Sequence, residues 1–310
     1  MTKLHYLFFL VLLLSACDST PNISDEFVDG DIVFDASIAH PENYLQSIAN
    51  PNPTEQDAAK PVFIAIHGYS ASTFEWDEFR AFSSGRTDYF ISQVLLGGHG
   101  MTYDDFKQAS WKTWQGLIKA EYDRLLAAGY ANINFVGSST GGALLIELLA
   151  SGYFDNKIAP RHVFLVDPII IPSSKMLSIM PIVGPVLGYA VSDNTTAEDR
   201  YWYHFRPQET LRELLDVTVR VRKQLEDGIT LPAGTTMKVY KSIKDPTADP
   251  VSAVLIYKGI KTSAGRTIDV EMVDSDLHVF TRLALRSGTD QGDVANQLRT
   301  FSDIVSRGLN

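Results

Sequence analysis

The reading of this chain is decided by Ile133-Asn134-Phe135-Val136-Gly137-Ser138-Ser139-Thr140-Gly141-Gly142. Ile133 to Val136 is a short apolar run. Gly142 to Ala150 has the helix formers and apolar density of a buried helix. Between them, Gly137 to Gly141 reads G-x-S-x-G with Ser139 at its centre. Strand, tight turn and helix form the setting in which such a serine becomes a candidate nucleophile. The turn is sharp and strained, so its neighbours must be small, and Gly137 and Gly141 supply that room. The hydroxyl is lifted above the strand end, and the helix N-terminus aims its N–H groups at the same point. The pattern alone also fits a Ser/Gly-rich turn with no chemistry.

Upstream, Val62 to Ile66 is a β-rich apolar run, as expected of a strand buried on both faces of a parallel sheet. It ends in His67-Gly68-Tyr69, where Gly68 permits a close backbone approach. Phe74 to Phe82 reads as helix, and Tyr89 to Leu96 as a strand running into Gly97-Gly98-His99-Gly100. No acidic partner stands at a suggestive spacing from His99, so it reads as structural. Trp111, Trp114, Leu117, Ile118, Leu125 and Leu126 fall at helical spacing and predict an amphipathic helix with both tryptophans in the core.

Downstream, His162 to Val166 predicts another buried strand, ending in Asp167-Pro168. From Ile169 to about Pro232 strand signals stop. Prolines, methionines and isoleucines mix with a polar patch from Ser192 to Arg200, followed by a helix-like stretch from Glu209 to Leu225. This is the signature of an inserted cap over about 169–232, whose apolar face would supply an acyl pocket. His204 within it reads as a surface or packing residue. Strands resume at Met237 to Ile243 and Thr267 to Val273, with a helix from Val251 to Ile260 between them and another from Asp293 to Leu309 at the end.

With these residues in place the chain resembles the α/β-hydrolase superfamily over its length after residue 16, and most of all small bacterial carboxylesterases and monoacylglycerol lipases. The resemblance rests on His67-Gly68-Tyr69, Gly137 to Gly141, Asp245 and His278, in the order serine, acid, histidine. It implies an α/β fold, mostly parallel, flanked by helices, with the cap after the sixth strand of the family's count. It also implies a catalytic Ser139–His278–Asp245 triad and an oxyanion hole from the Tyr69 and Thr140 N–H groups. Gly97 stands where relatives carry proline, and Leu277 where many carry glycine before the histidine. Asp167 is the rival acid. The implied reaction is hydrolysis of carboxylic esters of short to medium acyl length, monoacylglycerols included, with no metal and no cofactor. A thioesterase, acyltransferase or peptidase would use the same triad, and a non-catalytic binding lipoprotein could keep the same fold.

At the N-terminus, Lys3 precedes an apolar run, Leu4 to Leu14, shorter than the ~20 residues a bilayer span needs and matching a secretory signal peptide. Leu14-Ser15-Ala16-Cys17 resembles the bacterial lipobox, and Cys17 is the only cysteine, so no intramolecular disulfide is available. The expectation is a signal peptide over 1–16, lipidated Cys17 and an acidic tether over 17–31. Asp18 favours inner-membrane retention facing the periplasm, with the outer membrane as the other location. Ile32-Val33-Phe34 reads as a first strand. Net charge of -10 with no compensating basic block argues against a nucleic-acid partner. Substrate and membrane are the expected partners, and the oligomeric state is open.

Overall fold

The computed structural model of the chain describes residues 20–29, 53–174 and 184–310. The expected signal peptide, Cys17, Ile32-Val33-Phe34 and the methionine-rich part of the insertion from Met176 lie outside these residues. Six parallel strands form the central sheet: β1 (Val62–Ile66), β2 (Phe90–Val94), β3 (Ile133–Ser138), β4 (His162–Val166), β5 (Thr236–Ser242) and β6 (Asp269–Val273). Their order across the sheet is β6-β5-β4-β3-β1-β2. Counted among these strands, the insertion follows the fourth.

Strand side chains alternate between faces, so a strand buried on both sides feeds two cores. In β1, Val62, Ile64 and Ile66 face one core, whereas Phe63 and Ala65 face the other. The first core is covered by α1 (Trp111–Ala127), α2 (Ser139–Ala150), α3 (Gln208–Asp227) and α4 (Val251–Gly259), with Phe106 of the short helix Tyr103–Gln108. The second is closed by α5 (Gln291–Leu309), through Phe301, Ile304 and Val305, and by Trp76 and Phe79. Helix starts follow local chemistry. Ser110 Oγ accepts from Thr113 N–H to cap α1, and Asp290 with Asp293 makes a reciprocal cap on α5.

The predicted apolar stripe of α1 holds except at Leu117, which is 46% exposed. In its place Gln115 and Glu121 are buried with partners: Gln115 donates to Leu144 O at 3.1 Å, and Glu121 accepts from Ser92 Oγ at 2.5 Å. The stretch expected as one helix from Phe74 is a 3₁₀ turn, Thr73–Trp76, followed by a short helix, Asp77–Phe82.

Two further expectations change in the insertion and the leader. The long helix α3 is not a lid, because Leu211, Leu214, Val217, Val221 and Leu225 bury it in the same core as α2 and α4. Among the described residues, the cap-like structure is a small hairpin, Tyr189–Val191 with Phe205–Pro207, and its connecting loop. Residues 20–29, expected as part of a tether, pack instead onto this hairpin. Phe27 stacks on His204 at 4.5 Å, Val28 N–H donates to Asp199 O, and Asp29 accepts from Phe205 N–H at 2.9 Å. Apolar Phe27 and Val28 inside the acidic stretch are what make it stick. His204 is thereby a packing residue, with Nδ1 3.0 Å from Asp199.

The order of strands changes direction between β3 and β1, because the connections leaving them run to opposite sides. Ile66 pairs with Gly137 there, so the segments that follow β1 and β3 emerge side by side. The start of α2 crosses the end of β1 at minimal distance. A Cβ built on Gly141 would lie 2.7 Å from the carbonyl oxygens of both Ile66 and His67, which are backbone and cannot yield. Gly141→Ala is expected to destabilise the protein by about 1–3 kcal/mol, the range for an overpacked methyl. Thermal denaturation followed by circular dichroism checks this, and an unchanged midpoint would mean that α2 shifts freely.

Candidate active site

Ser139 sits where β3 becomes α2, in the left-handed region with φ of 47°. For a non-glycine residue this conformation is strained and is held only where the surroundings impose it. It lifts Oγ out of the strand line to 2.8 Å from His278 Nε2. His278 Nδ1 is 2.9 Å from Asp245 Oδ2. An ionised carboxylate only accepts, so Nδ1 carries the proton and Nε2 is left to accept from the serine hydroxyl. The three residues come from the ends of β3, β5 and β6, and all follow carboxyl ends of parallel strands.

Asp245 is fixed independently of the histidine. Its Oδ1 accepts from Thr247 N–H at 2.8 Å and Ala248 N–H at 2.9 Å, the turn that the Asp245-Pro246 sequence builds. Burial pushes its pKa up, but hydrogen bonding to His278 and the charges of His278 and Lys241 outweigh that, so it lies below the ordinary carboxylate value. Asp167, the rival acid, points elsewhere. It accepts from Ser242 N–H at 2.7 Å, Phe280 N–H at 3.1 Å and Lys241 Nζ at 3.1 Å.

The Tyr69 and Thr140 N–H groups belong to the two segments that meet beside Ser139. Neither donates to a protein acceptor among the described residues. Ser138, at the N-cap of α2, does not cap it: its hydroxyl turns away to Glu75 Oε1 and to Ile66 O at 3.2 Å. The helix thus keeps free donors and its positive end beside Ser139 Oγ. Gly68 N–H donates to the same Glu75 oxygen at 2.8 Å, tying the two segments together. Gly68 keeps this approach open, because a Cβ would stand 3.0 Å from Ser139 Cβ. The Tyr69 ring packs on Phe106 and Trp114, and its hydroxyl meets Thr210 Oγ1 of α3 at 2.7 Å.

His67 and His99 brace this corner as neutral rings. His67 Nε2 accepts from Leu96 N–H at 3.0 Å, so Nδ1 donates to Gly68 O at 2.8 Å. Burial pushes its pKa down to about 4. His99 Nε2 accepts from Ser70 N–H at 3.2 Å, a structural role as its sequence context suggested.

Sequence reading missed Glu75, Lys241 and Arg286, whose guanidinium donates to His278 O. Lys241 carried a signal: a lysine inside a β-rich run, four residues before Asp245. Asp167, Asp245 and His278 place ligand-type atoms within 4.8 Å of one another. They do not fit a metal ion, because Lys241 Nζ bridges both carboxylates and both ring nitrogens of His278 are engaged.

No protein-family model and no curated protein matches the sequence. Solved structures do match its fold. One from work on LipS and LipT, metagenome-derived lipolytic enzymes, is 18% identical with a TM-score of 0.63, covering 80% of this chain and 94% of that one. A soluble variant of monoglyceride lipase from Saccharomyces cerevisiae is 11% identical with a TM-score of 0.64, covering 83% and 89%. The monoacylglycerol lipase of Paleococcus ferrophilus is 13% identical with a TM-score of 0.59, covering 80% and 96%. With its parallel sheet, flanking helices and serine at the β3–α2 turn, this chain has the α/β-hydrolase fold.

Proposed function

We propose that the chain is a serine hydrolase that cleaves carboxylic esters of short to medium acyl length through an acyl-enzyme. The observation that carries this is the continuous chain Ser139 Oγ–His278–Asp245, with spacings of 2.8 and 2.9 Å, on a serine held at φ 47°. As the ester carbonyl carbon is attacked by Ser139 Oγ, His278 Nε2 takes the hydroxyl proton. Asp245 holds the tautomer and stabilises the imidazolium. The carbonyl oxygen becomes an oxyanion, met by the Tyr69 and Thr140 N–H groups, where one donor is worth about 3–4 kcal/mol. Collapse breaks the ester C–O bond, and His278 returns the proton to the leaving alkoxide. Water then adds to the acyl-enzyme with His278 again as base, releasing the acid and restoring Ser139. Monoacylglycerol-like lipids are the substrate class we favour, because structures of similar fold include two monoacylglycerol lipases and because the leader reads as a lipid anchor.

Ser139→Ala should abolish p-nitrophenyl ester hydrolysis and fluorophosphonate labelling while leaving the circular dichroism spectrum unchanged. Full turnover in that variant would sink the assignment, and a folded wild-type protein that neither labels nor turns over any ester would favour a binding role. Asp245→Asn should lower kcat by up to about 10⁴-fold. Asp167→Asn, which leaves the His278–Asp245 bond in place, should cost far less, and the reverse ranking would reassign the acid.

We also propose that residues 1–16 are removed and that Cys17 carries a thioether-linked diacylglycerol in a bacterial envelope, inner membrane favoured by Asp18. At about 0.8 kcal/mol per buried methylene, two or three acyl chains anchor stably where one is marginal. Because 20–29 pack on the hairpin beside His204, that end of the domain would face the bilayer. Cys17→Ser should leave the enzyme unlipidated and its activity intact. Mass spectrometry of the membrane-extracted N-terminus decides it: an unmodified Cys17 in the native host would overturn the anchor.

A further inference from the structure

Lys241 is fully buried, with 0% side-chain exposure, and so are the carboxylates of Asp167 and Asp245 on either side of it. Its ammonium is 3.1 Å from Asp167 Oδ1 and also bonds Asp245 Oδ2, the same oxygen that meets His278 Nδ1. A charge taken out of water is tolerated only when it is paired and hydrogen-bonded. Here each carboxylate also has backbone donors: Thr247 and Ala248 for Asp245, Ser242 and Phe280 for Asp167. Two carboxylates and one ammonium leave a net single negative charge under His278, which matches the one positive charge the imidazolium gains in catalysis.

We propose that Lys241 is a positioning residue for the hydrolysis proposed above, keeping both buried carboxylates ionised and fixing Asp245 against His278, with Asp167 as its counter-ion. This rests on the hydrolase reading of the site for its purpose, but not for its measurement. Without the ammonium, two adjacent carboxylates would repel, and either they would raise the His278 pKa or Asp245 would take up a proton. Both outcomes move loss of function to higher pH, because catalysis needs a neutral His278 beside an ionised Asp245. Removing the Asp167 charge instead leaves Lys241 and Asp245 as a neutral pair under His278 and lowers the His278 pKa. The other charged groups near this corner are Arg286, which donates to His278 O, and Glu75, Glu198 and Arg282 around it. None of these is altered by the two substitutions.

The acidic limb of the pH profile of kcat/KM tests this in Lys241→Met, Lys241→Gln and Asp167→Asn. The limb should move up by about one pH unit or more in the lysine variants and down in Asp167→Asn. Opposite displacements are something a merely structural role would not produce. Lower kcat/KM with unmoved limbs in both classes of variant would overturn the proposal. If neither lysine variant folds, Asp167→Asn decides alone: a downward limb supports the charge balance and an unmoved one overturns it. NMR titration of the His278 imidazole in the Ser139→Ala background gives the same signs without turnover. If the wild-type protein hydrolyses no ester but the imidazole shifts as stated, the hydrolase reading fails and the role of Lys241 stands.

Discussion

The site depends on one close approach of backbone to backbone, the start of α2 lying across the end of β1. Gly141 makes it possible, since no side chain fits between its Cα and the carbonyls of Ile66 and His67. The approach puts the segment after β1 and the segment after β3 within reach of one another. Glu75 then fastens them, accepting from Gly68 N–H on one side and Ser138 Oγ on the other. By engaging Ser138 it also leaves α2 without a side-chain cap, so the first N–H groups of the helix have no side-chain acceptor at the N-cap. The strain at Ser139 is sustained by the same packing, because every residue of α2 from Ser139 to Leu149 is buried.

Beneath the serine the logic is electrostatic instead of steric. Asp167, Lys241 and Asp245 form a buried row of alternating charge that ends on His278. Such a row is weak evidence for stability, because desolvation offsets most of the attraction. What it does supply is order: each charge has defined donors or acceptors, so few alternative arrangements exist. The residue that looked like a competitor for the acid is in this light a support for it. Asp167 has a positive φ of 46°, and four donors converge on its two oxygens, which fixes the turn after β4 and the Ser242 and Phe280 backbones at once.

Much of this was legible in the sequence, and the parts that were not share a cause. Runs such as Val62–Ile66 and His162–Val166 declare buried strands by composition alone, and the serine, acid and histidine stand next to strand ends that the runs reveal. Glu75 does not declare itself, because its partners lie at Gly68 and Ser138, and the second is 63 residues away. Leu117 is exposed and Gln115 buried because partners at Leu144 and Glu147 of α2, about 30 residues on, override the local stripe. The insertion misleads for a related reason. A polar-apolar helix after a loop reads as a cap, whereas α3 has an apolar face matched to α2 and α4 and joins the helical layer.

The described loop of the hairpin is contacted from three sides. Arg282, on the loop that follows His278, bonds Glu198 at 2.6 Å and lies over the Trp202 ring at 4.5 Å. Phe74, just before the short helix after β1, stacks on Tyr201 at 3.9 Å. Phe27 from the leader stacks on His204, next along the same loop. Three segments distant in sequence therefore grip one short stretch, Glu198 to His204. The stretch is thereby tied to the rest of the domain by a largely buried ion pair and three aromatic contacts, the aromatic ones contributing about 0.5–1.5 kcal/mol each. Tyr203 N–H, which donates to Ser70 O at 2.8 Å, sets this stretch beside the segment that follows β1, and the Tyr69 hydroxyl, 2.7 Å from Thr210 Oγ1, ties that segment in turn to α3.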